Sequence, residues 1–317
     1  MSIQNPMNMA HSVHQRLLNE AKKEHRSFND LMQYYAMERF LYRLTQTPHR
    51  NTLLLKGALL LRAWGIPSAR PTIDIDMTSP QDIPISDLLS IVREIFEVSV
   101  DDGLIFHLDS FRTEPIEKGT DFQGIRILFR ANLGNARVFL QMDVGQQDAV
   151  TPDPVWIELP SLLDFPPPRL LAYTPYSTIG EKFHGMVALG AANSRMKDYF
   201  DIYVLARNLT FHGDVLQAAI LATFNKRGIP LPNSVPIGLA PKFSEDPIKQ
   251  VQWNAFIKRL VDIVKPHTLE KTIDKIREFI MPPLLDYHKG KKFDLIWPPE
   301  GPWTKKGKGD GSLRTEL

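Results

Sequence analysis

The sequence predicts an α/β (α+β) protein: a mixed sheet flanked by helices, followed by a helical C-terminal domain. Three observations predict it. Apolar residues recur at helical spacing over residues 11 to 47 and again from Ser177 onward. Between Gly103 and Gly145 the period changes: LIFHLDSFR, GIRILFRA and ARVFLQMDV alternate or run apolar over strand lengths. Two proline-rich breaks, at residues 151 to 176 and 227 to 241, interrupt these periodic stretches.

The elements follow in order. Val13, Leu17, Leu18 and Ala21 mark a first helix, and Ser27 is the N-cap of a second that carries Leu31, Tyr34, Tyr35, Met37, Phe40, Leu41 and Leu44 and closes at Pro48. Thr52 to Leu55 suits a short buried strand, Lys56-Gly57 a turn, and Ala58 to Trp64 a helix ended by Gly65 and Pro67. RPTIDIDMT reads as a second strand, and Ser86 opens a helix with Leu88, Ile91, Val92 and Ile95 on one face. Three strands follow, the last two joined by a hairpin at Gly134-Asn135. The predicted order is α-α-β-α-β-α-β-β-β, a mixed sheet with helices packed on it. The proline-rich stretch 151 to 176 reads as an ordered crossing between domains, because apolar residues are interspersed; helices are expected at 246 to 264 and 267 to 285. The expected domains are 1–165, 166–290 and a basic, Pro/Gly-containing tail 291–317, whose Trp297 and Trp303 should dock on the protein's own surface.

Composition narrows the chemistry. Of 317 residues, 43% are hydrophobic and 23% charged, the balance of a globular chain. The absence of cysteine excludes disulfides, thiolate metal sites and cysteine nucleophiles. No signal-peptide core and no membrane-length apolar run occur, so a cytoplasmic protein with no membrane partner is expected. The net charge of +2 is a weak signal; the basic runs YHKGKKF and TKKGKGDG are either a solvated end or phosphate contacts. The histidines lack metal-ligand spacing, and neither GxSxG nor a Walker A loop occurs.

The chemistry concentrates in TIDID. Alternate strand side chains share a face, so Asp74 and Asp76 point the same way, joined by Arg70 and Thr72 if the strand begins early, while Ile73, Ile75 and Met77 face the core. Two like charges a few ångströms apart raise a pKa or demand a cation. Hard oxygen ligands suit Mg²⁺, which also accepts phosphate oxygens. Asp143, in RVFLQMDVG, falls on the face opposite Val138, Leu140, Met142 and Val144, and joins the pair if its strand lies alongside. Upstream, Gly57 between a strand and a helix lets backbone N–H groups approach a phosphate, with the following helix directing its positive end there. Phosphate cradle, carboxylate pair, lone carboxylate is a layout for nucleotidyl transfer. The plain alternative is a solvated amphipathic strand with Arg70 as a salt-bridge partner.

A second constellation lies downstream. Thr178-x-x-Glu181 is a capping-box pattern. Asp198, Asp201, Ile202 and Leu205 share one helix face, and two inward acids need a partner that Lys182 or Arg195 could supply. An active-site wall and an interhelical salt-bridge network both fit.

LLLKGALLLRAWGIPSARPTIDIDM resembles the first two motifs of the AbiEii/AbiGii-type toxins of the nucleotidyltransferase superfamily: Lys-Gly-small, then Arg-x-Thr-x-Asp-hydrophobic-Asp, matched by Lys56, Gly57, Arg70, Thr72, Asp74 and Asp76. Ala58 stands where the family pattern has a second glycine. YSTIGEKFHGMVALGAANSRMKDYFDIYVLAR is similar to the last motif, with Glu181, Lys182, Arg195, Lys197, Asp198 and Asp201 in place. The resemblance covers about residues 35 to 210. It implies a nucleotidyltransferase-fold toxin of a bacterial toxin–antitoxin or phage-defence system, transferring a nucleoside monophosphate from an NTP to RNA, with the tRNA 3′ end as acceptor and an antitoxin as partner. Asp74, Asp76 and Asp143 would hold Mg²⁺ (or Mn²⁺), and Asp143 would assist a second metal or take the acceptor's proton. Lys56, Gly57, Ala58, Arg70, Thr72 and Lys182 would bind the nucleotide, and Asp198 would orient Lys182 or act on the acceptor. The competing expectations are the same chemistry on a small molecule or protein, and a catalytically silent nucleotide-binding module.

Overall fold

A computed structural model describes residues 6–66, 70–118, 122–260 and 268–305. The chain divides into two compact units. The first takes the described residues of Met1–Ala63, Pro71–Asp148 and Trp156–Ala172. Its helices are α1 (Pro6–Lys23), α2 (Phe28–Thr45), α3 (Leu59–Ala63) and α4 (Ile85–Glu97). Its strands are β1 (Leu54–Lys56), β2 (Asp74–Ser79), β3 (Leu104–Lys118), β4 (Phe122–Leu133), β5 (Ala136–Gln146), β6 (Val155–Glu158) and β7 (Arg169–Ala172). Through β5 the chain order is the one the sequence predicts.

The strands form one mixed seven-stranded sheet in the order β3-β4-β5-β2-β1-β7-β6. β1 runs antiparallel to β2, while β2 runs parallel to β5. Along β5 the predicted alternation holds: Val138, Leu140, Met142 and Val144 are buried and Phe139, Gln141 and Asp143 are not. Gly134 adopts φ +57° in the β4–β5 turn, a left-handed value glycine takes without steric cost. Ser27 caps α2 by accepting a hydrogen bond from the Asp30 amide at 3.1 Å. Behind the sheet lies a fully buried charge cluster. Asp102 accepts from Arg39 Nε at 3.1 Å and from both terminal nitrogens of Arg43 at 2.6 and 2.9 Å, while Glu38 accepts from the Ser161 hydroxyl and the Leu162 amide. These bonds tie α2 to the start of β3 and to the loop before β7.

Three expectations fail here. Residues 151 to 176 are not only a crossing: they contribute β6 and β7, and β7 lies parallel to β1 with Ala172 opposite Leu55. Ile73 is 65% exposed rather than buried, because the strand begins only at Asp74. The helix after Gly57 has five residues, too short for its backbone dipoles to build an anion site at its N-terminus.

The second unit takes the described residues of Trp64–Arg70, Ala149–Val155 and Tyr173–Leu317. It is helical, with α5 (Pro175–Leu189), α6 (Met196–Asn208), α7 (Gly213–Lys226), α8 (Pro241–Glu245), α9 (Pro247–Ile257) and α10 (Leu269–His288). A small sheet joins β8 (Phe211–His212), β9 (Leu295–Trp297) and β10 (Thr304–Lys305). Thr174, not Thr178, caps α5, accepting from the Ser177 amide. The capping-box reading is therefore wrong: the Glu181 carboxylate instead meets the Tyr173 hydroxyl at 3.2 Å and Arg227 at 3.3 Å. The tail tryptophans dock as expected. Trp297 is fully buried and donates to the Ala206 carbonyl at 2.6 Å, and Trp303 stacks on Phe279 with centroids 5.7 Å apart. Pro67, the predicted helical residues 261–264 and 267, and the tail from 306 to 317 with most of its basic run lie outside the described residues.

Candidate active site

Strand register builds the site. Asp76 lies opposite Asp143 across β2–β5, Asp143 opposite Arg126 across β4–β5, and Asp76 opposite Lys56 across β1–β2. Residues directly opposite share a face, so four strands present one row: Arg126, Asp143, Asp76, Lys56. Asp74, two residues along β2, shares that face and stands opposite Gln141. All three predicted carboxylates thus lie on one face of the sheet, on neighbouring strands.

Gly57 opens onto this row. Its φ is +79°, and a Cβ placed on it would lie 2.1 Å from Asp76 Oδ2 and 2.8 Å from Asp76 Cβ. Glycine is required here by the carboxylate itself, which occupies the volume a side chain would fill. Ala58 is buried beside it. Thr72 sets the start of β2, its hydroxyl accepting from the Asp74 amide at 3.3 Å.

The cations of the row are engaged. Arg126 makes a paired contact with Asp143, Nε to Oδ1 and the terminal nitrogen to Oδ2, both at 2.9 Å. That hydrogen bonding raises the guanidinium's pKa above the usual arginine value. Gln141 adds a third donor to Asp143 Oδ1 at 3.2 Å. Lys56 Nζ reaches Asp148 Oδ2 at 2.5 Å, and that carboxylate is buried.

Arg70, Lys182 and Asp198 gather in the second unit. Lys182 Nζ lies 2.9 Å from Asp198 and 2.6 Å from Asp201. Arg70 makes a paired contact with Asp201 at 2.8 and 3.0 Å, and Arg195 reaches Asp198 at 2.7 Å. Burial opposes the charge on Lys182, yet the two aspartates hold its ammonium above the usual lysine range. Burial likewise opposes the charge on Asp198 and Asp201. Lys182 with Arg195, and Arg70 with Lys182, outweigh it and hold both carboxyls below their ordinary value. Arg70 is thus a partner of Asp201.

The donor chemistry of the row fits a hard divalent cation: carboxylate oxygens on neighbouring strands. Among the described residues no three acidic or histidine side chains converge closely enough to hold one, and both Asp143 oxygens accept from Arg126. Sequence reasoning missed Arg126 and Asp148. A signal for Arg126 existed: a two-residue turn at Gly134-Asn135 pairs Leu133 with Ala136, and counting outward puts Arg126 opposite Asp143.

The model of the family described as "Nucleotidyl transferase AbiEii toxin, Type IV TA system" matches residues 39–278. The chain belongs to the AbiEii family. This is a family of nucleotidyltransferase toxins of type IV toxin–antitoxin systems, so a nucleotide substrate and a cognate antitoxin come with membership. The match runs well beyond residue 210, into α10. Two Helicobacter pylori crystal structures are similar to this AbiEii chain. One, provisionally described as a nucleotidyltransferase, is 17% identical with a TM-score of 0.49, covering 84% of this chain and 100% of that one. The other, JHP933, is 18% identical with a TM-score of 0.49, covering 83% and 96%. Among curated proteins none matches. Among the described residues, no helix is long and apolar enough to cross a membrane.

Proposed function

We propose that this AbiEii-family chain transfers a nucleoside monophosphate from an NTP to a hydroxyl at the 3′ end of tRNA, in the cytoplasm. The observation that carries the proposal is the direct pairing of Asp76 with Asp143 beneath a glycine turn that only glycine can make. The acceptor oxygen forms a bond to the α-phosphorus, the α–β P–O bond breaks, pyrophosphate departs, and the hydroxyl proton leaves to Asp143 or to solvent.

Asp74, Asp76 and Asp143 would hold the divalent cation, Mg²⁺ or Mn²⁺. When bound, it would neutralise triphosphate charge and polarise the phosphoryl oxygens. The Gly57 and Ala58 amides would donate to the phosphates. Lys56 and Arg126, at the two ends of the row, supply positive charge where negative charge grows on the leaving group. Thr72 holds β2 at its entry so that Asp74 and Asp76 keep their register. For Lys182 and Asp198 we propose a positioning role: with Arg70, Arg195 and Asp201 they lock α5 to α6.

The test is incubation of the protein with α-labelled NTPs, a divalent cation and total RNA. Label on tRNA that is lost in Asp76→Ala supports the proposal. Label on protein or on a small molecule replaces the acceptor, and nucleotide binding without transfer to any acceptor overturns the catalytic reading.

A further inference from the structure

Arg126 occupies the position a cation bound to Asp143 would need. Both Asp143 oxygens accept from its guanidinium at 2.9 Å, and Gln141 occupies Oδ1 further. The pair is not a buried strut: Arg126 and Asp143 side chains are 36% and 19% exposed, against 0% for Arg39 and Asp102 in the cluster behind the sheet. Such half-exposed pairs exchange partners at little cost, whereas breaking a buried pair strands a charge. The other end of the row differs, since the Asp148 carboxylate that holds Lys56 is fully buried.

We propose that Arg126 is a placeholder cation that couples metal entry to nucleotide binding. Resting on the proposed transferase reading, the inference is that Arg126 neutralises Asp143 while the site holds no nucleotide and so disfavours a divalent ion at Asp76–Asp143. An arriving triphosphate, with its array of anionic oxygens, is the better partner for a planar guanidinium fork. Arg126 then turns from Asp143 to the phosphates, and Asp143 becomes available as the third oxygen donor. Besides Asp74, exposed Glu114, opposite Arg126 on β3, is a further carboxylate that acts on its charge. It sits on the side away from Asp76, so it can steady Arg126 in transit without entering the row.

A structural brace and a placeholder predict opposite signs. If Arg126 merely braces Asp143, removing it weakens metal binding. If it competes, removing it strengthens binding of metal alone and weakens binding of nucleotide. Mn²⁺ titrated into full-length protein without nucleotide, followed by calorimetry or by the loss of free-ion electron paramagnetic resonance signal, reads the first sign. We expect Arg126→Gln to bind Mn²⁺ at least tenfold more tightly than wild type, and a non-hydrolysable NTP with Mn²⁺ at least tenfold more weakly. Mn²⁺ affinity unchanged or lowered in Arg126→Gln overturns the inference. Because a variant can fail to fold, the wild-type protein gives an independent reading. The Arg126 Nε–H resonance, assigned by its disappearance in Arg126→Lys, should stay in place with Mg²⁺ alone and shift when NTP is added with Mg²⁺. No shift with both present overturns the inference. Asp76→Ala separates the two levels. If it abolishes Mn²⁺ binding while Arg126→Gln has no effect, only the placeholder falls; if Asp76→Ala leaves Mn²⁺ binding intact, the metal assignment falls with it.

Discussion

Gly57→Ala is the sharpest single perturbation of the carboxylate row. The new Cβ would sit 2.1 Å from Asp76 Oδ2, and ordinary contact begins near 3.4 Å, so the carboxylate must retreat by about 1.3 Å. Rotating the side chain is not enough, because Asp76 Cβ is itself only 2.8 Å from the added atom and is fixed by the strand. Part of β2 must therefore move, with Asp143 and Lys56 as its neighbours in register. The left-handed φ of +79° adds strain, roughly 1–2 kcal/mol for an L-residue. Misplacing a reacting geometry by about 1 Å costs roughly 100-fold in rate. We expect Gly57→Ala to lower the rate of label transfer by roughly that factor while the protein stays folded, with urea unfolding showing a loss on the order of 1–2 kcal/mol. In an Asp76→Gly background the side-chain atoms that the new Cβ would meet are gone, so the same substitution should then cost only the backbone strain. Transfer within threefold of wild type by Gly57→Ala would refute the claim that this glycine exists to seat Asp76.

Other consequences follow from the second unit. Lys182→Met leaves Asp198 and Asp201 buried with one cation fewer, and should destabilise the protein by about 3–5 kcal/mol in chemical denaturation; a loss under 1 kcal/mol would contradict a locked network. Asp198 and Asp201 have folded pKa values below their ordinary one. Their contribution to stability is thus complete above the unfolded carboxylate value of about 4 and is lost as pH falls through the folded values. Unfolding free energy measured from about pH 6 downward should fall less steeply in Asp201→Asn than in wild type, and parallel curves would exclude the network as a source of acid lability. Trp297→Ala removes a fully buried indole and its bond to Ala206; a loss of about 3–5 kcal/mol is expected in the same assay, and a near-neutral result would mean the tail is not part of the core.

The site was legible in the sequence where period and motif coincide. Strand alternation put Asp74 and Asp76 on one face and Asp143 on the polar face of β5, and the structure sets Asp143 directly beside Asp76. The element order of the sheet was legible for the same reason: β3, β4 and β5 are long enough to show their period. β6 and β7 were not, because four residues among prolines carry no period, and their pairing is decided by β1, more than a hundred residues away. The pairing of Arg70 with Asp201 was not legible, because it is set by tertiary packing and not by spacing along a strand. Arg126 was countable from the hairpin, but nothing in the sequence alone says that a long side chain will lie across to its opposite neighbour.

The proposed chemistry requires that carboxylates from two neighbouring strands share one divalent ion under the Gly57 turn. Crystals grown with Mn²⁺ and a non-hydrolysable NTP, measured at the manganese absorption edge, test it most directly. An anomalous peak in contact with both Asp76 and Asp143 is expected, with the Arg126 guanidinium turned to the phosphates. A nucleotide bound with its manganese peak elsewhere, and Asp143 still paired to Arg126, would contradict it.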